Sequence, residues 1–128
     1  MDQLIPKLSS IEVPVQSLKA SIEWYKTILE LEVTYEGEHD AMLRFQSKDL
    51  PGLYLVQTDS TERLGFTDSR TQIKHSVVDF YTPNLEELYK DLIRQNVRVT
   101  ELNLNGEIGG FGFYDLDNNL FGACNISH

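Results

Sequence analysis

Ser10, Glu12, Arg44, Tyr54, His75, Asp79 and Cys124 are the side chains whose types and strand positions point to chemistry. A carboxylate or an imidazole can take a proton and return it, so Glu12, His75 and Asp79 are the candidate general bases. The hydroxyls of Ser10 and Tyr54 can donate or accept, and the Arg44 guanidinium can clamp a small anion. Each has a plainer reading beside it. Glu12 and Asp79 also fit structural acids bonded to backbone or to Arg44. His75 also fits a partly exposed strand histidine, and Arg44 a solvated strand residue. Cys124 is the only cysteine, so no intrachain disulfide forms. With no flanking base it fits a small buried hydrophobe as well as a ligand contact. The chain has no G-x-S-x-G, P-loop or dinucleotide fingerprint. Its Gly109-Gly110-Phe111-Gly112 run begins a strand and signals close backbone approach, not a phosphate loop.

The elements that carry these residues follow from hydrophobic period. Leu8 to Val15 alternates as a strand, with Ser10 and Glu12 opposed to Ile11, Val13 and Val15. Ser17 caps a helix running to about Glu30, whose stripe is Leu18, Ile22, Tyr25 and Leu29. Strands are expected over Leu31–Glu36, Ala41–Gln46 and Leu53–Thr58, punctuated by Gly37 and Pro51-Gly52. Residues 59–71 are polar and carry no clear period, which predicts a linker. The second half is expected to repeat the order. A strand covers Ile73–Tyr81, carrying both His75 and Asp79. Asn84 caps a helix with Glu87 completing a near capping box, and Leu85, Leu88, Tyr89 and Leu92 form its stripe. Asn96 is placed in a left-handed conformation at its end. Strands over Val97–Leu104, Gly110–Tyr114 and Leu120–Ile126 close the pattern, the first two joined by a hairpin at Asn105-Gly106.

The halves superpose by sequence. An offset of 67 lays Glu12 on Asp79 and Ser17 on Asn84, and an offset of 68 lays Tyr54 on Gly122 and Val56 on Cys124. A one-residue change in a loop accounts for the difference. The expected fold class is therefore α+β, built from two β-α-β-β-β modules, about 8–58 and about 72–127, in one domain covering 1–128.

Composition narrows the function classes. Hydrophobic residues make up 41% and charged residues 24%, as in an ordinary soluble globular protein. Eleven Lys and Arg against 20 Asp and Glu give a formal net charge of −9. A chain this acidic has no basic face for tracking nucleic-acid phosphates and no polybasic membrane anchor. No apolar stretch approaches the ~20 residues that span a bilayer. Residues 1–7 lack a basic start followed by an apolar run, so no signal peptide is expected, and the expected location is cytoplasmic.

Two motifs carry a resemblance. Ile11-Glu12-Val13-Pro14-Val15-Gln16-Ser17-Leu18 followed by Ser21-Ile22-Glu23-Trp24-Tyr25 resembles the first strand and helix of the vicinal oxygen chelate superfamily. That group includes glyoxalase I, fosfomycin- and bleomycin-resistance proteins and extradiol dioxygenases. Phe113-Tyr114-Asp115-Leu116-Asp117-Asn118-Asn119-Leu120-Phe121 resembles its closing F-x-D-P-D-G-N hairpin, with Leu116 for the usual Pro and Asn118 for the usual Gly. The resemblance spans about Leu8 to Ile126. It implies two βαβββ modules whose mixed sheets form a cup-shaped eight-stranded half-barrel with the helices outside. In metal-dependent members four inward His, Glu or Gln side chains hold one divalent ion. Those positions fall here on Ser10, Tyr54, Val77 and Gly122, which are not ordinary ligands of such a site. A two-residue change of register would bring in Glu12, His75 or Asp79 instead. The expectation is a small-molecule-binding protein of the glyoxalase/bleomycin-resistance type with no metal and no cofactor. Ser10, Glu12, Arg44, Tyr54, His75, Asp79 and Cys124 would line its ligand site. A metal-free isomerase or lyase, or a metal-dependent lyase or dioxygenase with displaced ligands, stands as the alternative. The same resemblance, with strand edges to cover, implies a homodimer.

Overall fold

The computed structural model describes residues 3–127. The chain divides between Glu62 and Arg63 into two compact units. The first holds β1 (Ser10–Val15), α1 (Leu18–Ile28), β2 (Glu32–Glu36), β3 (Asp40–Arg44) and β4 (Gly52–Gln57). The second holds β5 (Phe66–Thr67), β6 (Lys74–His75), β7 (Val78–Tyr81), α2 (Leu85–Arg94), β8 (Asn103–Asn105), β9 (Ile108–Tyr114) and β10 (Leu120–Cys124). The fold is α+β, and neither four-stranded sheet closes into a barrel.

In the first unit the sheet order is β1-β4-β3-β2, with β1 parallel to β4 and the rest antiparallel. Alternation sends Val13, Val15, Ala41, Leu43, Leu53 and Leu55 to one face, where Leu18, Ile22 and Tyr25 of α1 bury them. Ser17 caps α1 as expected, its Oγ accepting from the Ala20 amide at 3.4 Å. The Leu18 amide donates to Gln57 Oε1 at 2.9 Å, which ties the helix start to the end of β4. The helix stops where Glu30 turns to φ +58°.

The second unit has the sheet order β7-β10-β9-β8, with β7 parallel to β10. Its core is aromatic. Phe80, Phe113 and Phe121 stack with centroids 5.6–6.4 Å apart, and Tyr89 of α2 meets Phe111 edge-on at 4.9 Å. Offset and edge-on rings of this kind add to the area they bury. Leu85 and Leu92 of the expected stripe are buried, and Leu88 and Tyr89 half-buried.

Several expectations need correction. The segment expected as a linker over 59–71 carries β5, which pairs with β6 as a separate hairpin. The turn between them is tied by Asp68, whose Oδ1 accepts from the Arg70 amide at 2.8 Å. That bond is the main reason the Asp68 carboxyl sits below its ordinary 3.8. The strand expected over Ile73–Tyr81 is broken at Ser76-Val77, so His75 and Asp79 lie on different strands. The capping box on α2 does not form: the Asn84 side chain makes no cap hydrogen bond. Asn96 is left-handed as expected, at φ +62°. Of the strand expected over Val97–Leu104, only Asn103 onward is regular, with one bridge from Val99 to Phe113. The hairpin loop is Gly106-Glu107, one residue later than expected, with positive φ at Gly106 alone (+68°). That is the position a type II′ turn reserves for glycine.

Candidate functional site

Each sheet buries one face under its helix and leaves the other open. On the open face of the first unit, Glu12 stands opposite Tyr54 in the β1/β4 register, and Ser10 opposite Gly52. Tyr54 donates a short hydrogen bond to Asp40 Oδ2. This bond is the largest cause holding the Tyr54 phenol up at about 12, and the charges of Asp40 and Glu12 add to it. Asp40 begins β3, outside the strand expected from Ala41. The signal for it was its two-residue spacing from Met42, the partner of Tyr54. Arg44 is exposed at the end of β3, and a side-chain carbon on Gly52 would lie 3.5 Å from its Cζ. Glu12 also borders a cavity of about 560 Å³ with Val56, Thr58, Ser60 and Glu62.

The open face of the second unit forms a cavity of about 610 Å³. This lies within the roughly 300–1,000 Å³ usual for small-molecule sites. His75, Asp79 and Cys124 all border it. Its floor is three glycines: Gly122 faces Gly112 across β10 and β9, and Gly110 faces Cys124. Asp79 stands opposite Gly122 on β7. A side-chain carbon on Gly122 would fall 2.4 Å from Asp79 Oδ1 and 2.6 Å from Ser76 Oγ. The absence of that carbon lets both polar groups fold down onto the strand. Burial pushes the Cys124 thiol above its ordinary 9.0, with the Asp79 carboxylate adding to the rise. At neutral pH Cys124 is therefore a protonated thiol and a poor nucleophile. His75 stacks on Phe66 at 5.4 Å. Tyr114 closes one end, with Lys74 Nζ 5.5 Å and Arg98 Cζ 3.8 Å from its ring centre.

Ser76, Lys74, Thr100, Glu101 and Tyr114 were not singled out from sequence. An unbroken strand over 73–81 alternates Ser76 away from Asp79. The break at Ser76-Val77 resets the alternation and puts Ser76 beside Asp79, while Val77 is 63% exposed.

The donor set does not fit a divalent metal at the four implied positions. Val77 and Gly122 offer no donor, Ser10 offers a neutral hydroxyl, and the Tyr54 hydroxyl is committed to Asp40. Among the described residues, no three His, Cys, Asp or Glu side chains are grouped to hold a metal ion. Among the same residues no helix is long and apolar enough to cross a membrane.

The closing hairpin is structural. Asp115 is buried, and its Oδ1 accepts from the amides of Asp117 and Asn119, each at 2.8 Å. Its Oδ2 accepts from Asn119 Nδ2 at 2.8 Å, and Asn119 Oδ1 in turn accepts from the Leu64 amide at 2.8 Å. Asn118 takes φ +71°, the conformation the usual glycine would supply.

No family sequence model and no curated protein sequence matches the chain. Solved structures do match it in fold. A member of the glyoxalase/bleomycin resistance protein/dioxygenase superfamily from Sphaerobacter thermophilus superposes with a TM-score of 0.76 at 15% identity, covering 97% of this chain and 100% of its own. The fosfomycin resistance protein FosX from Listeria monocytogenes gives 0.75 at 18%, covering 97% and 96%. TnmS3, an antibiotic binding protein from a Streptomyces species, gives 0.74 at 18%, covering 98% and 100%. The chain has the fold of the glyoxalase/bleomycin-resistance/dioxygenase superfamily.

Proposed function

We propose that this protein binds a small molecule without a metal ion, and that the second unit's open face is where it does so. The observation that carries the reading is the glycine-floored cavity with the Asp79 carboxylate and Ser76 hydroxyl folded onto it. A concave surface with a few convergent polar groups is the usual form of a ligand site. The unsuitable donors at Ser10, Tyr54, Val77 and Gly122 support the metal-free part. The antibiotic-binding and fosfomycin-resistance proteins of like fold support the ligand being a small molecule. His75, Asp79 and Cys124 are its contacts in this unit. Ser10, Glu12, Arg44 and Tyr54 belong to the first unit and are not among the residues that line this cavity. A cytoplasmic homodimer completes the reading.

The test is mass spectrometry of the compounds released from the purified full chain. One compound should be enriched from the native protein and lost from Asp79→Asn. No enrichment over an unrelated acidic protein would overturn the proposal. Sedimentation at micromolar concentration checks the dimer, and a clean monomer would contradict it.

A further inference from the structure

The rows of the second sheet describe the shape of what its open face can hold. One row runs Asp79, Gly122, Gly112 and then Thr100. Thr100 is joined to Gly112 by two bonds: its amide donates to the Gly112 carbonyl at 2.8 Å, and its hydroxyl accepts from the Gly112 amide at 2.7 Å. With strands about 4.8 Å apart, Asp79 and Thr100 stand roughly 14 Å apart across two glycine positions, the Gly122 one overlain by Asp79 Oδ1 and Ser76 Oγ. Gly110 extends the bare patch along β9. At its rim, Leu120 Cδ1 and Thr100 Cγ2 come within 3.0 and 3.2 Å of where a Gly112 side chain would begin, offering methyl contacts. The surface suits a flat molecule.

Asp79 sets the chemistry of the edge. Its Oδ1 lies 2.4 Å from where a side-chain carbon on Gly122 would begin, close against the strand. An acceptor held against the strand suits a donor at the edge of a molecule resting on the neighbouring glycines. The charges agree in sign. The lining holds two carboxylates, Asp79 and Glu101, against one ammonium, Lys74. None of the salt bridges seen among the described residues involves Asp79 or Glu101. Lys74 is set over the Tyr114 ring.

We infer that the cavity takes a flat, conjugated organic cation with an N–H in its ring plane, such as an aminoheteroaromatic or an aryl amidine. Its face rests on Gly110 and Gly112, and its N–H donates to Asp79. This inference rests on the cavity being the ligand site. Proflavine, a planar diamino cation, and 2-naphthalenesulfonate, a planar anion, are the probes. Each is titrated into the ¹⁵N-labelled full chain while the glycine amides are followed.

Proflavine should shift Gly110, Gly112 and Gly122 and saturate at one per chain. Asp79→Asn should weaken it about ten- to a hundred-fold, the usual effect of losing a charged hydrogen bond. Gly112→Ala should weaken it too, with thermal melts checking that the variant folds. Unchanged affinity in Asp79→Asn overturns the inference. Shifts at these glycines from the sulfonate alone overturn the cation class and still support a small-molecule site. Shifts from neither probe overturn the inference and leave the binding reading to the co-purifying compounds.

Discussion

Asp79 stands opposite Gly122 in the parallel register of β7 and β10, and the missing side chain of Gly122 is what gives the Asp79 carboxylate its place on the sheet. The equivalent pair in the first sheet, Glu12 opposite Tyr54, has a ring where the second has a gap. The same strand order therefore sets a tyrosine ring in one unit at the position where the other has no side chain.

Gly122→Ala tests that relationship. The new methyl meets the ends of two movable side chains, so the cost in stability should be about 1 kcal/mol, the low end for overpacking. The displaced carboxylate should lose its ligand. A melt close to native together with lost binding is the expected pairing.

Cys124 reports on the same carboxylate without any ligand. Burial and Asp79 both raise its thiol, so iodoacetamide at pH 8 should alkylate it more slowly than free cysteine. Asp79→Asn should speed the reaction. Mass spectrometry of timed samples gives both rates.

Tyr54 predicts an alkaline transition. Its folded-state value of about 12 lies above the ordinary 10.0, so the folded protein holds the proton longer than the unfolded chain does. The stability this contributes is whole below pH 10.0 and falls as pH rises toward about 12. Ultraviolet titration should show Tyr54 ionising near that upper value. Tyr54→Phe and Asp40→Asn should each remove this late step.

Asp115→Ala should be the most damaging of these substitutions. It removes the acceptor of the half-buried Asp117 amide and of the buried Asn119 amide and side chain. An unsatisfied buried donor costs about 1–3 kcal/mol, so the loss should be on the order of 3 kcal/mol by denaturant unfolding. An effect under about 1 kcal/mol would contradict the structural role given to this hairpin.

Much of the fold was legible because period and punctuation agree. The alternation of Ile11, Val13 and Val15 and the Leu18, Ile22, Tyr25 stripe each specify a single buried face. The offsets of 67 and 68 pick out Glu12 and Tyr54 in one sheet and Asp79 and Gly122 in the other, and both pairs are register partners. The open face was less legible. A two-residue break at Ser76-Val77 carries no glycine or proline to announce it, yet it reassigns every side chain before it. The stretch after Val97 alternates well but forms only a bridge at Val99 before β8, because Thr100 spends its hydroxyl on Gly112. Glycines also hide their importance from sequence: Gly110, Gly112 and Gly122 matter for the space above them.

The most direct test of metal-free binding at this cavity is an amide map of the ¹⁵N-labelled chain in EDTA, titrated with a library of small molecules. Compounds that bind should shift Gly110, Gly112 and Gly122 together, and should do so undiminished in the chelator. Binding that shifts other regions only, or that emerges only after a divalent metal is restored, would contradict the account.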